Sequence, residues 1–480
     1  MSGLVVVGDA LLDRDVTGEV ERFCPDGPAP VVDELATEDR PGGAALAASL
    51  AVRAHGEVLL VTAIGADAAG DRLRELLAER GVERVELPCQ GGTPEKIRLR
   101  ARGQTVLRLD RHSRPGLPGP LTPRAQAVLA DADAIVVSDY GRGLTSLTEL
   151  RRVLSVAAAS RPLVWDPHPR GGSPVPGMRL VTPNESELPA GPAEANGHSG
   201  STRLADLVRR AVATRRNWRA GGVAVTLAAE GALLVDGGET PLVVPAPLWT
   251  TADPLGAGDQ FAVAAAQALA TGAVTSEAVQ AAVAAASAFV AGHRPGTPSA
   301  GPLGFSVASQ PDGAAGDDRT AGREAAFGLA RAQEIVARTR AHGGQVVATG
   351  GCFDLLHPGH VATLRAARSL GDCLIVCMNS DRSVRPLKGH GRPAVAERDR
   401  AAVVAALAYV DAVVLFDEQN PIDLLNALRP DVWVKGGDYT ADALPETEHL
   451  ARWGGQTVIV PYLAGHSTTG LLAAVAGRPF

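Results

Sequence analysis

Short apolar runs recur along the chain, most of them closed by glycine or a polar residue, with stretches long enough for a helix between many of them. In the first half, residues 4–7, 58–64, 134–137 and 163–165 read as strands, and residues 31–35 form an extended segment after the polar, proline-rich 24–30. Residues 223–226 and 231–235 read as a strand pair. Arg40-Pro41-Gly42-Gly43 opens an alanine-rich helix to about residue 54, and the long alanine-rich stretch 261–291 is broken by Gln267, Thr271, Gly272, Thr275, Ser276 and Glu277 into two packed helices, not a membrane span. A second series follows, with strands at 345–348, 373–378, 412–416, 432–434 and 457–460. Helices are predicted between them at 361–370, 394–408 and 421–428, with a loop after 378 and a closing helix from about 468. Alternation of the two periodicities, with glycines at strand ends, predicts an α/β protein: a doubly wound sheet, then a smaller α/β unit of the same kind.

Residues 296–322 lack periodicity and are rich in Gly, Ser, Pro, Ala and Asp, which marks a boundary. The expected organisation is a first domain over 1–300, a linker over 301–322 and a second domain over 323–480, opened by helical spacing of Phe327, Leu329, Ile335 and Val336. The 480 residues suit two domains. With 45% hydrophobic and 21% charged residues, both can bury sizeable cores. A net charge of −7 argues against a nucleic-acid partner, while leaving small anionic substrates open. The N-terminal residues lack a charged leader followed by a long apolar run, so a cytoplasmic protein without membrane association is expected. Cys24, Cys89, Cys352, Cys373 and Cys377 are odd in number and lack C-x-x-C spacing, which suggests neither a disulfide framework nor a zinc ribbon. Cys373 and Cys377 share one strand face and are expected in the core.

Candidate chemistry concentrates in two glycine-containing turns. The run Gly350-Gly351-Cys352-Phe353-Asp354-Leu355-Leu356-His357-Pro358-Gly359-His360 joins a strand to a helix. Glycines let backbone approach a phosphate, Pro358 suits a first helical position, and His357 and His360 can face one ligand. A structural zinc pair or two surface histidines on a turn are the alternatives, but no Cys or His cluster nearby would complete a tetrahedral site. Downstream, Lys388 and Arg392 in Leu387-Lys388-Gly389-x-x-Arg392-Pro393 are placed to reach a triphosphate, and Lys435-Gly436-Gly437-Asp438-Tyr439 follows another strand. Ser467, Thr468 and Thr469 suit either helix capping or phosphate contact. The chain has only three lysines, Lys96, Lys388 and Lys435, among 46 basic residues, and a compact ammonium differs physically from a guanidinium. Solvated surface is the alternative for Lys388 and Lys435.

The other turn is Asp253-Pro254-Leu255-Gly256-Ala257-Gly258-Asp259, running into a helix. Gly256, Ala257 and Gly258 allow N–H groups to converge on an anion, and Asp259 is placed to accept a hydroxyl proton beside a transferring phosphoryl group. The same residues would also serve as an acidic cap after a glycine turn. Asp139 and Asp166 stand at strand carboxyl ends, where open α/β sheets bind ligands.

With Gly8-Asp9, Gly42-Gly43 and Asn184-x-x-Glu187 in order before Asp259, residues 4–296 resemble the ribokinase-like sugar kinases. That resemblance implies Asp259 as catalytic base, Gly256 to Gly258 as anion hole, and Asn184 and Glu187 near Mg²⁺ and the nucleotide phosphates, with no direct protein ligand to the metal assigned. It also implies sugar contacts from Asp9, Asp13, Gly42 and Gly43, to which Asp139 at its strand end is added. The 350–360 run matches the G-x-F-D-x-x-H-x-G-H form of the H-x-G-H nucleotidyltransferase superfamily, a Rossmann-like fold in which Gly351, Cys352, Phe353, Asp354, His357, His360, Lys388, Arg392, Lys435, Asp438 and the Ser467 to Thr469 run would serve ATP and acceptor. Together the halves resemble the bifunctional heptose 7-phosphate kinase and heptose 1-phosphate adenylyltransferase family over nearly the full length. The resemblance implies ATP-dependent phosphorylation of D-glycero-D-manno-heptose 7-phosphate at C1 and adenylyl transfer from ATP to heptose 1-phosphate, with Mg²⁺ as cofactor and a homodimer or higher homo-oligomer. Lys96, in a Thr-x-x-Lys-x-Arg segment, fits the family's sugar pocket. Leu46 stands where such kinases usually have Asn, His168 replaces a lysine, and Pro254-Leu255 differs from the usual Thr-Gly. Two further readings therefore stay open: an active nucleotidyltransferase beside a kinase domain of altered sugar specificity, or beside a module that only binds or dimerises.

Overall fold

The computed structural model describes residues 3–55, 57–112, 117–190, 203–238, 240–247, 254–292, 327–389, 391–437 and 444–461. The expected linker 301–322 and the expected closing helix lie outside them. The chain divides into two compact units: Met1–Ala190 with Ala211–Asp236 and Ala246–Phe305, and Gly191–Arg210 with Gly237–Pro245 and Ser306–Phe480.

In the first unit, strand Leu4–Gly8 is central. Val58–Ala63 and Glu83–Leu87 lie to one side, and Ala134–Ser138, Leu163–Asp166, Leu180–Val181 and Gly222–Thr226 to the other, all parallel, with Ala232–Val235 antiparallel beyond them. Val6, Val7, Ile135, Val136 and Val137 are fully buried, the expected outcome where helices cover both faces of a parallel sheet. Strand order reverses between Leu4–Gly8 and Ala134–Ser138, and the crevice at such a switch point is where these sheets receive ligands. Helices Ala44–His55 and Ala257–Ala270 pack together beside it.

A second sheet of four strands stands apart from the first, in the order Pro30–Gly43, Ala10–Phe23, Glu95–Ala101, Gln104–Arg111. The sequence pattern predicts only a short extended segment at 31–35, whereas Ala10–Phe23 and Pro30–Gly43 form one long hairpin. Its polar outer half hides the strand period, because the residues that hold it are charged: Arg14 donates to Asp39 at 2.6 Å, and Arg40 pairs with Asp15. Asp13 and Lys96 are register partners on its inner end.

In the second unit, Val346–Gly351 is central, with Cys373–Asn379 and Ala412–Phe416 on one side and Val432–Gly436 and Gln456–Val460 on the other, all parallel. The reversal again falls at the strand that leads into the glycine turn. Trp433, Ile375, Cys377 and Leu425 are fully buried in its core, with Cys373 beside them. A Cβ at Gly350 would come within 2.6 Å of the Trp433 ring, so glycine there is a packing requirement as well. The expected loop after residue 378 contains a helix, Asp381–Lys388, capped by Ser380, whose Oγ accepts from the Ser383 N–H at 3.2 Å. Pro386 inside it conceals the helical pattern. The helix expected over 394–408 is shorter, Glu397–Ala405.

The carboxyl end of the central strand in the first unit tolerates no side chain. A Cβ at Gly8 would lie 1.9 Å from the Ser138 carbonyl oxygen, across the paired strands. Gly8→Ala is expected to destabilise the first unit by about 1–3 kcal/mol, seen as a lower urea midpoint at unchanged slope.

Candidate active sites

At the first switch point, Asp9 directly follows strand Leu4–Gly8 and is buried. Its Oδ2 accepts from the N–H groups of Tyr140 at 3.1 Å and Arg142 at 2.9 Å, and its Oδ1 from Leu144 at 3.1 Å. Burial pushes this carboxyl up, and the three N–H bonds hold it part of the way back. Asp139 is engaged similarly, by the Gly141 N–H and the Thr145 hydroxyl, both at 2.8 Å, and burial pushes it up to about 6. Asp9 and Asp139, both expected at the sugar, also hold the 139–145 turn. Asp13 is buried and accepts from Arg98 Nη1 at 2.9 Å. A Cβ on Gly42 would sit 2.4 Å from an Asp13 oxygen, and Gly43 takes a positive φ of 60°, which explains the paired glycines.

Asp259 lies in the first turn of helix Ala257–Ala270, behind Gly256 at a φ of 85°. A Cβ on Gly258 would meet nothing within 4 Å, which leaves room for a ligand beside the helix N-terminus. The Tyr140 hydroxyl reaches both Asp259 oxygens, at 3.1 and 3.0 Å, and the Ser138 hydroxyl lies 3.5 Å from one. Burial raises the Asp259 carboxyl to about 7, against the pull of Tyr140, Lys96 and Ser138. The Lys96 ammonium lies 4.6 Å from the centre of the Tyr140 ring, and burial lowers its proton affinity, opposed by Asp13. The site therefore gathers Asp13, Lys96, Gly42, Gly43 and Asp259.

Asn184 and Glu187 lock one another: Glu187 Oε2 accepts from the Asn184 N–H at 2.9 Å, and Asn184 Oδ1 accepts from the Glu187 N–H at 3.0 Å. Burial pushes Asp166 well above the carboxylate range, and the charges of Asp259 and Glu187 push it further. His168 stacks beside Tyr140 and accepts the Arg170 N–H on Nδ1 at 3.1 Å. Burial, with Arg170, Lys96 and Arg142 nearby, lowers it to about 4, so its ring is neutral at neutral pH. Leu46 packs toward the anion turn, where a Cβ on Gly256 would meet its Cδ2 at 2.9 Å.

At the second switch point, helix Pro358–Ser369 begins with Pro358 behind the cap residue His357. The His357 and His360 rings stack at 3.9 Å, and Phe353, at a φ of 45°, packs on His360 at 5.2 Å. Burial lowers His360 to about 4, with the charges of His357 and Lys388 adding to it. Lys388, ending helix Asp381–Lys388, also acts on the Cys352 thiol, which burial raises and Lys388 lowers. Asp354 pairs with Arg392 and accepts from the N–H groups of Ala394 at 2.7 Å and Val395 at 3.3 Å. Burial pushes Asp354 up, but these bonds outweigh it and hold the carboxyl below its ordinary value. Lys435, on the neighbouring strand, pairs with buried Glu446 at 3.0 Å and lies 5.6 Å from the Trp433 ring. Gly351, Cys352, Phe353, Asp354, His357, His360, Lys388 and Arg392 are thus gathered around one strand-to-helix turn. Asp438, Ser467, Thr468 and Thr469 lie outside the described residues.

Three contributors go unassigned in the sequence reading. Tyr140 is visible there only as part of a polar strand end. Arg400 is fully buried, donating to the Cys352, Asn379 and Val395 carbonyls and to Asp381 at 2.6 Å, yet it looks like one charge of an exposed helix. Glu446 lies in the short helix Glu446–Ala451, far in sequence from the motif it serves.

Family comparison agrees with this division. Residues 1–300 match the pfkB family of carbohydrate kinases, and residues 348–462 match the cytidylyltransferase-like family. The chain is 52% identical over 474 residues to the bifunctional protein HldE of Streptomyces coelicolor, covering 98% of this chain and 96% of the relative. It is 36% identical to that of Caulobacter vibrioides, again covering 98% and 96%. Among solved structures, phosphofructokinase-2 from Escherichia coli in complex with fructose-6-phosphate aligns with 61% of this chain and 95% of its own, at 22% identity and a TM-score of 0.48.

The lowered Asp354 carboxyl contributes stability that is complete above the ordinary carboxylate range and is lost as pH falls through that range toward its folded value. Asp354→Ala is expected to cost about 3 kcal/mol at neutral pH by leaving Arg392 without its partner. The gap from wild type should shrink in urea titrations run below about pH 4.

Proposed function

Since the chain belongs to the pfkB family of carbohydrate kinases and, over nearly its whole length, to the family of bifunctional HldE proteins, we propose that its kinase half phosphorylates heptose 7-phosphate at C1 with ATP and its nucleotidyltransferase half forms ADP-heptose. It is an enzyme with two transferase domains, for which we take the boundaries 1–300 and 323–480. One observation carries the kinase reading: Asp259 is a buried carboxyl of raised proton affinity in the first turn of a helix, directly after Gly258, whose side the protein leaves open.

In the first reaction the C1 hydroxyl attacks the γ-phosphorus of ATP, its proton passes to Asp259, and ADP departs. Gly256 and Gly258 supply N–H groups to the transferring phosphoryl oxygens, whereas the Ala257 N–H, expected to join them, donates to the Pro254 carbonyl at 3.0 Å and holds the turn. Asp9, Asp13, Gly42, Gly43, Lys96 and Asp139 contact the sugar phosphate, Asp9 and Asp139 while also holding the turn that shapes the pocket. The Asp259 and Glu187 carboxylates push the Asp166 carboxyl up, a repulsion that a divalent cation arriving with the nucleotide would relieve. Among the described residues no three acidic, His or Cys side chains gather to bind one alone. Glu187 and Asn184 would act near Mg²⁺, which would neutralise phosphate charge.

In the second reaction a phosphate oxygen of heptose 1-phosphate attacks the α-phosphorus of ATP and pyrophosphate leaves. The nucleophile is already ionised, so alignment and charge suffice. Neutral His360 and its partner His357 donate N–H groups to phosphate oxygens, and Lys388 and Arg392 add positive charge. Asp354 sets the place of Arg392, and Glu446 that of Lys435.

The exposed apolar residues Phe23, Leu35, Val106, Leu107 and Leu109 on the four-stranded sheet support a homodimer. The five unpaired cysteines support a cytoplasmic setting. Among the described residues no helix is long and apolar enough to cross a membrane. A second reading, altered sugar specificity in the kinase half, is favoured by neutral His168 standing where the family carries a lysine.

Asp259→Ala is expected to reduce ADP formation from heptose 7-phosphate by about 10²–10⁴-fold and to spare pyrophosphate release from heptose 1-phosphate. His360→Ala should do the reverse, with a loss of about 10²–10³-fold. Running the pyrophosphate assay with ATP against CTP identifies the nucleotide. Wild-type enzyme making no ADP from heptose 7-phosphate, but making it from another sugar phosphate, would replace the first reading with the second.

A further inference from the structure

Asp259 is not presented alone to the kinase pocket. The Tyr140 hydroxyl bridges both of its oxygens, at 3.1 and 3.0 Å, and among the described residues is the closest side-chain donor to that carboxylate, ahead of Ser138 at 3.5 Å. Tyr140 is itself held from several directions. Its N–H donates to Asp9 at 3.1 Å, the Lys96 ammonium sits 4.6 Å from its ring centre, and His168 stacks beside it with centroids 6.3 Å apart. A Cβ on Gly43 would come within 3.3 Å of the ring, so glycine there gives the tyrosine its space. A side chain gripped this way has little rotamer freedom left to lose when it makes its bond to Asp259.

The geometry points to Tyr140 as a positioning residue of the kinase reaction, one that orients the catalytic carboxylate and sets how readily it takes the sugar's proton. The inference rests on the reading of Asp259 as the base. A hydroxyl donating to a carboxylate stabilises the charged form, so it keeps more of the base ionised while weakening it as a proton acceptor. The other groups facing Asp259 are Ser138 at its strand end, Lys96 and Asp13 from the four-stranded sheet, and Asp166 from strand Leu163–Asp166. Lys96 and Ser138 act with Tyr140, whereas Asp13 acts against it, as does burial. Burial and the Asp259 charge push the tyrosine's own ionisation well above its ordinary value. It therefore stays protonated through the cycle and serves as a donor, never as the base.

The test is the pH dependence of kinase kcat/KM for the full-length protein, with ATP and heptose 7-phosphate. Tyr140→Phe keeps the ring and removes the donor, and is expected to move the acidic limb upward by about one pH unit. Activity lost at neutral pH should then be largely recovered at alkaline pH. Ser138→Ala, which removes the longer contact, should move the limb the same way by less, and it carries the test if the first variant does not fold. An unshifted limb in the folded variants, with activity reduced equally at every pH, would overturn the inference and leave Tyr140 a packing residue. Asp259→Asn separates the two questions: full kinase activity in that variant would remove the base assignment itself, whereas its inactivity together with an unshifted Tyr140→Phe limb would remove only the role of the tyrosine.

Discussion

Both sites depend on a buried carboxylate that accepts backbone N–H groups. Asp9 takes three such bonds from the 140–144 segment, and Asp354 takes two from residues 394 and 395 together with the Arg392 guanidinium. Each follows closely on the central strand of its sheet, at the switch point where neighbouring strands turn away. Loops at such a crevice lack ladder partners of their own, and buried N–H groups without acceptors are costly. A carboxylate is the side chain that can satisfy several donors at once. The bonds fix the loops, and the loops carry the residues that face the ligand space.

The two sites then diverge in their electrostatics. At the first, burial leaves Asp259 easily protonated, which suits a reaction whose nucleophile is a neutral hydroxyl. At the second, burial drives His360 neutral and positive charge comes from Lys388 and Arg392, which suits a nucleophile that is already anionic. One physical cause, removal of water, thus yields an acceptor of protons in one unit and a donor of neutral hydrogen bonds in the other.

Several elements were legible because their periodicity is strong. The continuously apolar strands 4–7, 134–137 and 373–378, the alanine-rich helices and the helix opened by Pro358 all appear where the pattern puts them, since parallel strands buried on both faces must be apolar throughout. The long hairpin Ala10–Phe23 and Pro30–Gly43 was not legible: ion pairs such as Arg14 with Asp39 hold its outer strands, and charges carry no strand period. Helix Asp381–Lys388 was obscured by Pro386, and Glu446–Ala451 by its shortness.

By itself the sequence determined the chemistry available and its order along the chain. Glycine turns before Asp259 and before His357 specify helix N-termini open to phosphate, because only small residues let backbone N–H groups approach an anion. Tertiary structure alone decided which side chains are engaged with protein. Asp9 and Asp139 stand in the sequence only as strand-end carboxylates, and each also holds a turn, one about 130 residues away from Asp9 and the other in Asp139's own loop. Tyr140 reaches Asp259 across 119 residues, and Arg400 reaches Cys352 across 48. Such contacts depend on where the strands end in space and on what burial does to each charge, and neither is written in local periodicity.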